Sequence, residues 1–126
     1  MSLRSPLGRV RGLGSAKSGT EHFWAQRVTA VALIPLSLWF VYAMVGLAGA
    51  EHAEAVAWLQ SPVTAVLMLV LIAATFHHMQ LGLQVVIEDY VHSEGLKIAS
   101  LVAVKGASLL LAVASAFAVL KVAFGG

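Results

Sequence analysis

The chain has 126 residues, 60% of them hydrophobic and 11% charged, with a net charge of +2, whereas an ordinary soluble domain has about 25% charged residues. So short a chain cannot bury that much apolar surface within itself, which excludes an ordinary water-soluble domain and leaves lipid or partner protein to cover the rest. The absence of cysteine excludes disulfides, cysteine-ligated zinc and cysteine-bound iron–sulfur clusters within the chain, and so small a net charge gives no nucleic-acid signal.

Residues 1–20 are polar, rich in Gly and Ser, and basic through Arg4, Arg9, Arg11 and Lys17, with no acid before Glu21. A transit peptide has a similar composition, but no apolar signal core precedes a cleavage site, and a cytoplasmic tail held at an anionic membrane surface is the better reading. The chain thus divides into a basic N-terminal segment, 1–27, and a transmembrane domain, 28–126. The first long apolar run, about 28–48, has no charge; at ~1.5 Å per residue, about 20 residues cross the ~30 Å hydrocarbon core. Pro35 lies inside it and predicts a mild kink, because neighbouring helices can satisfy the freed carbonyl. Trp39 and Tyr42 sit toward its far half, as residues approaching an interface do.

Residues 49–62 read as a loop punctuated by Gly49, Glu51, His52, Glu54 and Pro62, without Lys or Arg. The second span, about 63–87, is apolar except for Thr64, Thr75, His77, His78, Gln80 and Gln84, most of them in its second half. Glu88, Asp89, Tyr90, His92, Ser93, Glu94 and Gly95 read as the second loop, with Glu88 and Glu94 as solvated carboxylates. The third span, about 98–122, carries Lys105 and Lys121 toward its ends, where long side chains snorkel to the headgroups. Its Ala107, Ser108, Ala112, Ala114, Ser115, Ala116 and Ala118 offer a surface for close helix packing. The expected fold is therefore an all-α integral membrane protein of three transmembrane helices. The positive-inside rule predicts a cytoplasmic N-terminus and a periplasmic C-terminus, since Lys and Arg crowd the N-terminal segment and are missing from 49–62.

Polar groups inside a span are costly unless satisfied, so they are candidates for function. His77 and His78 are two such groups, and hydrogen bonding to neighbouring helices is the plainer reading of each. His78 has Gly82 one turn on, where a missing side chain leaves a flat recess for a macrocycle or another backbone. Asp89 is close to three full turns and about 16 Å beyond His78 on a continuing helix, so His78, Gly82 and Asp89 form one stripe; His77 is turned away from it. Tyr90, beside Asp89, reads either as an interfacial belt residue or as a phenol placed to hydrogen-bond a carbonyl or relay protons. His22 reads as a hydrated interfacial histidine, and His52 and His92 as solvated loop residues.

The segment HMQLGLQVVIEDYVH, residues 78–92, resembles the signature of the smaller membrane-anchor subunit of succinate dehydrogenase (respiratory complex II): His, three residues, Gly, then six residues and Asp-Tyr. QRVTAVAL at 26–33 is similar to the family's Arg-x-Thr-Ala at the start of the first helix, and the basic LGRVRGLGSAKSG looks like the alphaproteobacterial form. The resemblance implies half of a six-helix heterodimeric anchor, paired with a second (cytochrome b) anchor subunit beneath an iron–sulfur subunit and a flavoprotein subunit. It implies a shared haem b with His78 as one axial ligand. It also implies a ubiquinone site near the cytoplasmic face, where Tyr90 hydrogen-bonds a quinone carbonyl beside Asp89. Arg27 matches an arginine near the haem propionates and the quinone pocket, and His22 lies close enough in sequence to share that role. Such a chain is no enzyme alone, having no flavin or dicarboxylate site. It is a subunit of an oxidoreductase complex in the bacterial inner membrane, in preference to the mitochondrial one. Rival readings are a fumarate reductase anchor, which Asp-Tyr and Arg27 disfavour, and a small transporter or scaffold, which has no need of His78, Gly82 and Asp89 in register.

Overall fold

A computed structural model describes residue 3, residues 5–12 and residues 19–125; Arg4 and Lys17 of the basic segment lie outside the described residues. The elements are α1 (Pro6–Val10), α2 (Gly19–Leu47), α3 (His52–Gln60), α4 (Pro62–Tyr90) and α5 (Glu94–Ala123), with no strand among the described residues. α2, α4 and α5, of 29, 29 and 30 residues, are long and apolar enough to cross a membrane. Their mean hydropathies reach 2.1, 1.7 and 2.0 over the most apolar stretch of each. This is the three-span, all-α membrane fold expected from the hydropathy pattern.

The buried core is very small. Ala65, Ala74, Leu81 and Val119 are the buried apolar residues, with Thr64 and Ser108 the buried polar ones. Large side chains such as Val31, Leu38, Leu110 and Phe117 are instead well exposed from the chain itself. A soluble bundle would bury an apolar stripe on each helix. Here the helices are apolar all round, which fits surroundings of lipid or partner helices. α4 is the central element and packs against both α2 and α5, while α3 packs on α4 and α5. The polar ends of the α2 start, α4 end and α5 start meet at one end of the bundle, and α3 lies at the other.

The helices extend beyond the apolar runs. α2 begins at Gly19 rather than near residue 28, α4 continues to Tyr90, and α5 begins at Glu94. At ~1.5 Å per residue each is ~44 Å long and exceeds the ~30 Å hydrocarbon core. Hydropathy marks where a helix enters apolar surroundings, whereas the helix ends where its backbone bonds end. Glu88, Asp89 and Tyr90 are thus helical and not loop, and Lys105 is eleven residues inside α5 and not near its end. Glu94 opens α5 and pairs with Lys97 at 3.8 Å, a partly exposed contact of small energetic weight. α2 runs on through Pro35 without a break.

The loop expected at 49–62 contains a helix. HAEAVAWLQ is rich in Ala, Glu, Leu and Gln, which favour helix, but nine residues are too few to be stable alone, so packing must hold α3. Trp58 stacks on Trp39 of α2, ring centroids 5.7 Å apart at 23°, and Val56 and Leu59 are half-buried. Gly49 makes the turn out of α2 at φ +81°, a conformation that favours glycine. Pro62 forces Ser61 into extended backbone, φ −63° and ψ 127°, which ends α3 and lets α4 start with proline in its first turn. The N-terminal segment holds a further short helix, α1, with Pro6 in its first turn and Ser5 as cap, its Oγ accepting from the Gly8 amide at 3.0 Å.

Candidate functional site

Because α4 is unbroken from Pro62 to Tyr90, Gly82 and Asp89 lie within about 40° and 20° of His78 around its axis. The His78 ring is half-buried and reaches α2, where its Nδ1 is 3.0 Å from the Thr29 hydroxyl. The same hydroxyl lies 2.7 Å from the Ala25 carbonyl oxygen and 3.1 Å from that of Gln26. One turn along, Gly82 faces the Gln26 side chain; a Cβ at Gly82 would meet Gln26 Nε2 at 3.9 Å, an ordinary contact. The recess beside His78 thus receives a polar side chain of α2.

His22, Gln26 and Thr29 recur at four and three residues and share one face of α2. His22 Nε2 and Gln26 Oε1 are buried and have no hydrogen-bond partner among the described residues. Arg27 is about 200° round α2 from Thr29 and about 140° from His22. The structure therefore does not place Arg27 beside His78 or His22. Its guanidinium lies over the Phe23 ring, 4.7 Å from the centroid, a cation–π contact. It lines an outward groove with Trp24, Val28, Val31 and Ala32.

Asp89 and Tyr90 end α4 and are exposed, Tyr90 by 77%. Their own chain leaves them uncovered, so any site they form needs further walls. His77 is exposed and turned to another face. There it begins a second polar row that sequence reasoning did not assemble: His77, Gln80, Gln84, Glu88. Gln80 Nε2 is 3.4 Å from Gln84 Oε1, and Gln84 Nε2 donates to Glu88 Oε1 at 3.0 Å. A cleft of about 610 Å³ carries His77, Gln84 and Glu88 together with Glu21, His22 and Lys105. Glu88 is therefore tied to its helix as well as solvated. His52 opens α3 and His92 follows α4, both exposed.

Spacing along one helix marked the His78 stripe, since α4 alone supplies it. It missed Thr29 and Gln26, whose partners are on another helix; Thr29 and His78 are 49 residues apart. The available signal was the polar i, i+4, i+7 recurrence of His22, Gln26 and Thr29 at the start of an otherwise apolar helix.

The fold and the burial define the class as a multi-pass helical membrane protein. A family model described as "Succinate dehydrogenase/Fumarate reductase transmembrane subunit" matches residues 1–120, and the chain belongs to that family. A Rickettsia bellii protein named succinate dehydrogenase hydrophobic membrane anchor subunit is 35% identical over 116 residues, 92% of this chain and 93% of its own. The protein of that name from Paracoccus denitrificans is 31% identical over 86 residues, 68% of this chain and 67% of its own. A succinate dehydrogenase membrane anchor subunit from Reclinomonas americana is 28% identical over 88 residues, 68% of this chain and 73% of its own. The Rickettsia and Paracoccus relatives agree with the alphaproteobacterial character expected of the sequence.

Proposed function

We propose that this chain is the smaller membrane anchor of a succinate:ubiquinone oxidoreductase in the bacterial inner membrane. It pairs with a second, cytochrome b anchor, tethers an iron–sulfur and a flavoprotein subunit, ligates haem b through His78 and forms part of the ubiquinone site. The observation that carries the reading is the His78–Gly82–Asp89 stripe, with Tyr90 beside it, on one unbroken helix of a member of this family. Relatives named for succinate dehydrogenase favour that direction over fumarate reduction.

The donor chemistry suits haem. His78 offers one half-buried imidazole, which would hold haem together with a ligand from a partner chain. Haem bound here would be held from this chain by the His78 imidazole and would supply one-electron transfer. Arg27 presents a fork of donors at an outward groove, suited to a carboxylate. His22 faces the cleft with a buried Nε2 that has no partner among the described residues and is available to another acceptor or donor.

Tyr90 and Asp89 act at the aqueous rim. A quinone carbonyl oxygen gains negative charge on reduction, so a phenol donating to it stabilises the reduced product side more than the ground state. Asp89 stands where protons enter from water. Both being exposed, they form half of a pocket that a partner completes.

A reduced-minus-oxidised spectrum of the purified complex tests the reading. The wild type should show a haem b signal that His78→Ala loses or perturbs and His77→Ala keeps. The reverse pattern assigns the wrong histidine, and no haem signal in the intact wild-type complex removes the haem role.

A further inference from the structure

An imidazole binds a metal through one nitrogen, and what the other nitrogen does sets the tautomer and the ring's orientation. His78 Nδ1 lies 3.0 Å from Thr29 Oγ1. A threonine hydroxyl has one hydrogen and two lone pairs. The other neighbours of Thr29 Oγ1 are two backbone carbonyl oxygens, Ala25 at 2.7 Å and Gln26 at 3.1 Å. Carbonyls can only accept, so the hydroxyl hydrogen is directed back to them, chiefly to the nearer. Such back-bonding to the preceding turn is common for threonine in helices. Toward His78, Thr29 then presents only a lone pair, and the contact requires the imidazole to carry its hydrogen on Nδ1 and donate it. In the neutral ring that leaves Nε2 bare.

We infer that Thr29 is a positioning residue that fixes His78 in the Nδ1–H tautomer, leaves Nε2 as the nitrogen that would ligate haem, and tunes the haem's redox potential. The inference rests on His78 being the ligand. The Ala25 carbonyl, the Thr29 hydroxyl and the His78 ring form one chain of hydrogen bonds from the α2 backbone to the imidazole, so seating α2 against α4 orients the ring. Each hydrogen bond in that chain polarises the next. A donated Nδ1–H makes the imidazole a more basic ligand, which favours the oxidised, more positive iron. Losing the acceptor should therefore raise the midpoint potential.

The test uses the complete complex with Thr29→Val, which keeps shape and removes the hydroxyl, and Thr29→Ser, which keeps the hydroxyl. Haem per complex and the haem midpoint potential are measured alongside recovery of all subunits. Loss of an outer partner of a metal ligand costs about 10–100-fold in affinity. If a tenfold share of that falls on one oxidation state, the potential moves by ~59 mV for one electron. The expected result is a raised potential or lowered haem content in Thr29→Val, with Thr29→Ser close to wild type. Wild-type haem content and potential in Thr29→Val overturn the inference. So does a Thr29→Ser variant as defective as Thr29→Val, because the methyl group and not the hydroxyl would then matter. A His78→Ala complex that keeps its haem with an unperturbed spectrum overturns the ligand assignment and the role of Thr29 with it. Loss of haem in His78→Ala with an unaffected Thr29→Val removes the role of Thr29 alone.

Discussion

Tyr90 differs from phenylalanine by one hydroxyl, and it ends α4 with 77% of the residue exposed. Tyr90→Phe should therefore leave folding and haem content unchanged. A neutral hydrogen bond is worth about 1 kcal/mol, and a donor aimed at developing charge about 3 kcal/mol. The expected fall in succinate–quinone turnover thus lies between several-fold and about a hundredfold, with succinate oxidation by an artificial dye acceptor nearly unchanged. Wild-type quinone reduction by Tyr90→Phe in an intact complex would make Tyr90 a belt residue only. The candidate residues legible in the sequence are those whose relation is local to one helix: His78, Gly82, Asp89 and Tyr90 stand in register because α4 is continuous. Arg27 and His22 show the limit. They are five residues apart in sequence, yet helical rotation turns them to different sides, toward the outer groove and the inner cleft. Thr29 and Gln26 required knowledge of which helix faces which.

Helix seating gives a second prediction, at Gly82. Glycine inside a helix costs about 1 kcal/mol relative to alanine, and a Cβ there meets Gln26 Nε2 at 3.9 Å without a clash. Gly82→Ala should keep haem and melt at the same temperature as the wild-type complex or slightly above it. Gly82→Leu must displace Gln26, and through it the face of α2 that carries Thr29, so its complex should melt lower and bind less haem. Thermal melts and haem absorbance of the purified variants measure both effects. A Gly82→Leu complex with wild-type stability and haem would mean that α2 and α4 do not pack as described. The three spans were readable because long charge-free runs have few alternatives to crossing a membrane. Their ends were not readable, because TEHFWAQR and the Glu88–Tyr90 segment are polar yet continue a helix that has already nucleated. α3 was hidden for a related reason: its Glu54, its histidine and the flanking Gly49, Glu51 and Pro62 resemble loop punctuation. The packing that holds it, Trp58 on Trp39, is a contact between elements.

At the scale of the molecule, an odd number of spans puts the two ends of the domain on opposite sides, and charge must choose which is inside. Of the eight Lys and Arg residues, only Lys121 lies in the last turn of α5, at the end of the bundle that carries α3. Arg27, Lys97 and Lys105 lie in the halves of α2 and α5 nearer the opposite end, and Arg4, Arg9, Arg11 and Lys17 precede α2 in sequence. The acids Glu21, Glu88, Asp89 and Glu94 share that end, but acidic residues have little influence on orientation. The end bearing Tyr90 and Asp89 should therefore face the cytoplasm, the side on which the proposed soluble partners and quinone protons would meet the membrane. A reporter active only in the periplasm, fused after Ser93, should be silent, and the same reporter fused after Gly125 should be active. Replacing Arg9, Arg11 and Arg27 together by glutamine should weaken this bias and give mixed activity at both positions. Activity after Ser93 with silence after Gly125 in the unaltered chain would invert the topology. Asp89 and Tyr90 would then lie on the far side of the membrane from the proposed soluble partners, and the quinone site would have to be sought at the α3 end.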